Sequence, residues 1–352
     1  MPPAPAGRTL RRSASARRVK VIDRLADIFI RAGGVGIIVI VALIFVFLVV
    51  ETLPLFRGAR QQVVFEEPLP GAPATDRILA LGIDEYESHL YYLDAAAGVV
   101  RFVDTATRQT VQAFPLSSAG PGQVTAAYRL PARDKLVLGT DDGRILFAEA
   151  RFLVDYGEAA ERHVKPGFNE VGKLDAVSPS AIATLHARQN STGDYFYAYA
   201  NAAGGVFTGK FVEDEPVDPP QAVGGAIAGK ITALIIDYEG NKLFVATDAR
   251  KLYQYYLDDN REAAYRVYDF SAAITALDFL IGDASLLLGF ADGAVESWFG
   301  VREHETDTLK PIRRIHDLAR MPAAVTVIQP SARDKGFVVG AADGTIKLNF
   351  TT

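Results

Sequence analysis

In 352 residues, 22 % are charged and none is cysteine, which excludes disulfides, thiolate nucleophiles and cysteine-held metals. Residues 1–31 hold eight Arg or Lys against Asp23 and Asp27, a balance of +6, so the net charge of −5 leaves −11 beyond them. An acidic bulk lacks the basic patch of a nucleic-acid binder, and nucleic acid is not an expected partner.

The first predicted element is residues 32–50, AGGVGIIVIVALIFVFLVV, a run of nineteen residues without a charge. As a helix it spans roughly 28 Å, the thickness of a bilayer's hydrocarbon core. Positive charge beside a crossing stays in the cytoplasm, so the N-terminus reads as cytoplasmic and the acidic bulk as exported. The competing reading is a cleavable signal peptide, with a shorter apolar region and a small-residue cleavage site. Here Glu51-Thr52-Leu53-Pro54 follows the run, and an uncleaved anchor in the bacterial inner membrane is expected. The chain divides into a cytoplasmic basic tail (1–31), a transmembrane helix (32–52), a linker (53–76) and a periplasmic domain (77–352). Pro68, Pro70 and Pro73 keep the linker extended. The tail is expected to set the topology, with contact to anionic lipid as the alternative role.

Beyond the linker one unit recurs: an apolar run, a second apolar run, a tight turn and a third run. Ile274-Thr275-Ala276-Leu277 opens one copy, followed by Leu286-Leu287-Leu288, Asp292-Gly293 and Val295 to Phe299. Val325-Thr326-Val327-Ile328, Val338-Val339, Asp343-Gly344 and Ile346 to Phe350 make another. Further copies open near 78, 124, 182 and 231, so the spacings are 46, 58, 49, 43 and 51 residues. A period of about 40–50 residues with several short strands marks propeller blades. Asp-Gly between apolar runs favours a hairpin, because glycine accepts positive φ. Runs such as Leu286-Leu287-Leu288 do not alternate with polar residues and suit strands covered on both faces. A β-sandwich is the alternative; the regular period favours an all-β, WD40-like β-propeller with six visible blades. The outer strands are expected at Thr110–Phe114, Tyr265–Tyr268 and Ile312–Ile315. Gln62–Phe65 is a candidate to complete the sixth blade.

Chemistry-bearing motifs are few. Gly224-x4-Gly229-Lys230 resembles a phosphate loop, but Ile231 stands where Ser or Thr is required, and a strand follows in place of a helix. Asp141-Asp142 and Asp258-Asp259 read as turn residues. His89, His163, His186, His304 and His316 are scattered without metal-ligand spacing. No catalytic residue, cofactor-binding residue or metal ligand is assigned, and the chain reads as a non-enzyme. A quinoprotein-like or hydrolase-like propeller would need convergent acids or histidines on one face.

Asp23-Arg24-Leu25-Ala26-Asp27, Gly33-Gly34, Leu43-Ile44-Phe45 and Pro54-Leu55-Phe56-Arg57-Gly58-Ala59 resemble the start of the large variant of the phosphate-type ABC transporter permease subunit of proteobacteria. The resemblance implies a basic tail, one crossing, a periplasmic β domain and then a multi-helix permease region. These 352 residues read as the N-terminal part of such a subunit, without the transporting helices. The implied role is a non-catalytic interaction platform. The implied partners are the remaining permease helices or subunits, a periplasmic solute-binding protein and, indirectly, the ABC ATPase. The alternative function is a general membrane-anchored propeller scaffold for envelope protein assembly.

Overall fold

The computed structural model describes residues 15–52, 78–117, 120, 122–130, 134–157, 161–306, 308–318, 320–331 and 335–350. The chain forms two compact units, Met1–Glu67 and Pro68–Thr352.

In the first unit a single helix, α1 (Ser15–Thr52), runs for 38 residues. It starts well before the apolar run, because Ala16, Arg17, Arg18, Lys20 and Leu25 are all good helix formers. Arg31 pairs with Asp27 one turn earlier at 2.9 Å. The stretch Arg24–Thr52 is long and apolar enough to cross a membrane. Its large side chains, among them Ile30, Phe45 and Phe47, are exposed.

The second unit is a β-propeller of antiparallel sheets, each laid down in chain order. Blade one contains β1 (Ile78–Ile83), β2 (His89–Asp94), β3 (Val99–Asp104) and β4 (Thr110–Pro115). Blade two contains β5 (Val124–Arg129), β6 (Lys135–Thr140), β7 (Ile145–Tyr156) and β8 (Arg162–Leu174). Blade three contains β9 (Ile182–Gln189), β10 (Tyr195–Asn201), β11 (Val206–Phe211) and β12 (Gln221–Val223). Blade four contains β13 (Ile231–Ile236), β14 (Lys242–Thr247), β15 (Lys251–Tyr256) and β16 (Arg266–Asp269). Blade five contains β17 (Ile274–Phe279), β18 (Ser285–Phe290), β19 (Val295–Gly300) and β20 (Ile312–Leu318). Blade six, among the described residues, has three strands: β21 (Val325–Pro330), β22 (Gly336–Ala341) and β23 (Ile346–Phe350). The inner strands start at the six predicted positions, and β4, β16 and β20 fall on the predicted outer strands. Gln62–Phe65 lies outside the described residues.

Among the described residues, five apolar cores lie between consecutive blades. Leu286 and Leu288 enter the core shared by blades four and five, while Leu287 enters that shared by five and six. The unbroken apolar run is thus an alternation in which both faces are buried. The same division places Leu136 and Leu138 against blade one and Val137 against blade three. The far face of blade six is open: Val327, Val338, Ile346, Leu348 and Phe350 are 51, 36, 67, 56 and 63 % exposed.

Two devices repeat around the ring. Every inner strand carries a one-residue bulge at its second position: Leu79, Thr125, Ala183, Thr232, Thr275 or Thr326. Three of these threonines donate to the first carbonyl of the next blade's inner strand. Thr125 reaches Ile182 at 2.8 Å, Thr232 reaches Ile274 at 2.8 Å, and Thr275 reaches Val325 at 2.6 Å. The second device is the turn between the middle and third strands. Its positive-φ residue accepts a backbone N–H from the segment after the outer strand: Gly98 from Leu116, Gly143 from Ser178, Arg250 from Phe270 and Gly293 from Met321.

The longest spacing, 58 residues, is explained by blade two. Its β7–β8 hairpin stays paired out to Tyr156 and Arg162. Phe152 packs on Phe102 at 5.8 Å, and the Arg162 guanidinium covers the Tyr86 ring at 3.9 Å, which folds the extension onto blade one.

Candidate functional site

All six inner strands line an axial channel of about 350 Å³. The C-terminal ends of these strands, and the loops that follow, form one mouth of it. A cavity of about 320 Å³ occupies this mouth, walled by Leu130, Phe279, Leu280, Ile281 and Pro330. A second cavity of about 290 Å³ runs outward between blades four and five and shares Tyr238, Phe279, Gly282 and Asp283 with the first. The two cavities adjoin at these residues.

A buried polar cluster separates mouth from channel. Tyr128, His186 and Asp278 face the channel, and Arg188 and Asp283 face the mouth. Arg188 Nη2 donates to Asp278 Oδ1 at 2.7 Å and lies 3.5 Å from Asp283 Oδ1. Arg188 Nη1 donates to the Tyr128 hydroxyl at 3.4 Å, and that hydroxyl donates to Asp278 Oδ2 at 3.4 Å. Asp283 Oδ2 accepts the Tyr238 N–H at 2.9 Å. Blades two, three, four and five therefore converge on one guanidinium.

The electrostatics follow from burial. Asp278 is pushed up to about 6 by desolvation, against which Arg188 works only in part. Asp283 is raised for the same reason. Burial opposes the charge of Arg188, but Tyr128, Asp278 and Asp283 hold its pKa above the ordinary guanidinium value. The phenol of Tyr128 is raised well above its usual range, first by burial and then by Asp278. His186 stacks on Tyr128 with ring centroids 4.1 Å apart. Burial, and then Arg188, keep its pKa well below the ordinary histidine value, so it is neutral. Its Nδ1 accepts the Ile236 N–H at 3.3 Å, which places the ring proton on Nε2. Nε2 is buried with no hydrogen-bond partner among the described residues, and so is Arg188 Nε.

The motifs weighed from sequence sit elsewhere. Gly224, Gly229 and Lys230 lie between β12 and β13, with the Gly224 N–H on Arg261 O at 2.7 Å and the Lys230 N–H on Asp248 at 2.7 Å. Those donors are consumed by the fold, and the loop enters a strand. Asp142 accepts the Thr140 hydroxyl at 2.6 Å as turn chemistry, whereas Asp141 accepts the N–H of Gln123, 18 residues earlier at the entry to β5, at 2.8 Å. Asp258 and Asp259 form the turn after β15. Among the described residues no group of three His, Asp or Glu is placed to hold a metal ion. Among the described residues, His186 is the one sequence-weighed histidine that lines the axial channel. Arg188, Asp278 and Asp283 were not singled out from sequence. Their signal was a charge inside an otherwise apolar repeat: Asp278 stands where Ile235 stands in the preceding blade.

No family model matches the chain, and no curated protein is similar to it in sequence. Among solved structures it is similar to a chain of the mitotic checkpoint complex crystal structure, with a TM-score of 0.51 and 12 % identity, over 78 % of this chain and 75 % of that one. It is also similar to the β-propeller domain of Cps50 (Swd1) from Myceliophteria thermophila, with a TM-score of 0.48 and 11 % identity, over 78 % of this chain and 87 % of that one. At these identities the likeness is one of fold.

Proposed function

We propose that this chain is the membrane-anchored propeller region of an ABC-type phosphate importer permease subunit, acting as a non-catalytic platform for a partner protein outside the cytoplasm. The observation that carries the platform reading is the joining, in one polypeptide, of a helix apolar enough to cross a membrane to a propeller with two adjoining cavities at its axial mouth. Rigid loop-lined cavities of this kind suit partner recognition. The importer assignment rests on the resemblance around residues 23–59, and the orientation on the +6 tail. The partner is a periplasmic solute-binding protein or the transporting helices. By itself the chain neither hydrolyses ATP nor transports.

The test is affinity capture of the full chain from cross-linked native membranes, paired with calorimetry against phosphate. Co-purification of permease and solute-binding components, with no heat of phosphate binding, is expected. Micromolar phosphate binding would overturn the platform reading. Capture of outer-envelope assembly factors without transporter subunits would favour the general scaffold.

A further inference from the structure

We propose that the axial mouth is a receptor site for a basic side chain, arginine or lysine, presented by the partner protein; the site rests on the platform reading and specifies what the platform grips. Asp278 and Asp283 face a single guanidinium, Arg188, so the ionised cluster carries one negative charge in excess where little water remains. The adjoining lobe adds no net charge: Lys242 and Lys310 stand against Asp237 and Glu239. An incoming cation completes the cluster. An incoming anion would be set beside the carboxylates of Asp278 and Asp283 at the Nη edge of Arg188, and of that guanidinium only Nε is without a partner among the described residues.

The geometry specifies a long side chain with a charged tip. Asp283 Oδ1 lies 3.5 Å from Arg188 Nη2, too far for a good hydrogen bond, so it keeps capacity for another donor. Above it, Leu130, Phe279, Leu280, Ile281 and Pro330 form an apolar collar that matches the methylene stem of arginine or lysine. Ile281 is 46 % exposed at the rim. The acceptor is held rigidly, since Asp283 adopts a φ of 50° and its other oxygen is tied to the Tyr238 N–H.

The left-handed backbone suggests the test variant, because asparagine tolerates that conformation as well as aspartate does. The full chain in nanodiscs is titrated with acetyl-Ala-Arg-Ala-amide, its citrulline analogue and its glutamate analogue, read by ligand-observed NMR. The arginine peptide is expected to bind at least tenfold more tightly than the citrulline peptide, and Asp283→Asn should abolish that preference while leaving the melting temperature unchanged. If Asp283→Asn does not fold, Ser191→Arg, which tethers a guanidinium at the rim, should block the arginine peptide instead. Equal binding of the arginine and citrulline peptides, or preference for the glutamate peptide, overturns the site. Partner capture separates the two readings. Partner retained by a chain that shows no arginine preference sinks the site and leaves the platform. Arginine preference without any captured partner supports the site and sinks the platform.

Discussion

Asp278 is the residue at which sequence, burial and pH meet. Its side chain is almost fully buried on an inner strand, yet it carries a carboxyl displaced to about 6. In the unfolded chain an aspartate titrates near 3.9. The folded value is the higher one, so the native state takes up the proton first, and this group favours folding more as pH falls from about 7 to about 4. The gap in urea midpoint between the wild type and Asp278→Asn should therefore change across that window, with the wild type gaining at the acid end. A gap that is constant from pH 7 to 4 would contradict this titration. Thr275 makes a residue-scale prediction of a different kind. Its hydroxyl donates to Val325 O at 2.6 Å across a blade boundary. Thr275→Val keeps the shape and leaves that carbonyl unbonded, so a loss of about 0.5–1.5 kcal/mol is expected in chemical denaturation. No measurable loss would mean that the bulge threonines do not clasp the blades.

At the scale of elements, the middle strands show why unbroken apolar runs were legible as blades. Leu287, on β18 of blade five, is fully buried against blade six, while Leu348, on β23 of blade six, is 56 % exposed on the open face. Leu287→Ala should cost about 2–5 kcal/mol. Leu348→Ala should stay within about 0.5 kcal/mol, as surface substitutions do. Comparable losses at both positions would show that the far face of blade six is covered in solution. The hairpin turns are equally specific. Reading Asp-Gly from sequence places a positive φ at the turn, and the strained position is Gly293, with a φ of 83°, rather than Asp292. A Cβ at Gly293 would lie 2.3 Å from the Met321 carbonyl oxygen, so Gly293→Ala meets both strain and a clash. A destabilisation of roughly 1–3 kcal/mol from the backbone alone is expected, and full stability would refute the turn's role in joining blade to blade.

At the scale of the whole molecule the expected arrangement is a short basic N-terminus inside and the propeller outside. Alkaline phosphatase fused after Thr352 should be active and a cytoplasmic fluorescent reporter dark; the reverse pattern would invert the topology drawn from the +6 tail. Much of the propeller's organisation was present in the linear chain. The β-branched openings at Ile78, Val124, Ile182, Ile231, Ile274 and Val325 are the first residues of the six inner strands. They were readable because each blade is a local unit, folded from consecutive residues whose turn and period repeat. The long apolar helix was readable for the same reason, since apolar length is a property of adjacent residues. What only the tertiary structure decided is which positions face the axis together. Arg188 and Asp278 are 90 residues apart, and of the fifth residues of the inner strands Tyr128, His186, Asp278 and Gln329 line the channel while Ile235 packs into the core between blades four and five, a difference no local motif marks. Closing the blades around one channel brings Tyr128, His186 and Asp278 together with Arg188, and burial then sets their charges. A repeat pattern specifies each blade's hydrogen bonds and faces, whereas a site on the axis depends on the angle between blades, which no single repeat encodes.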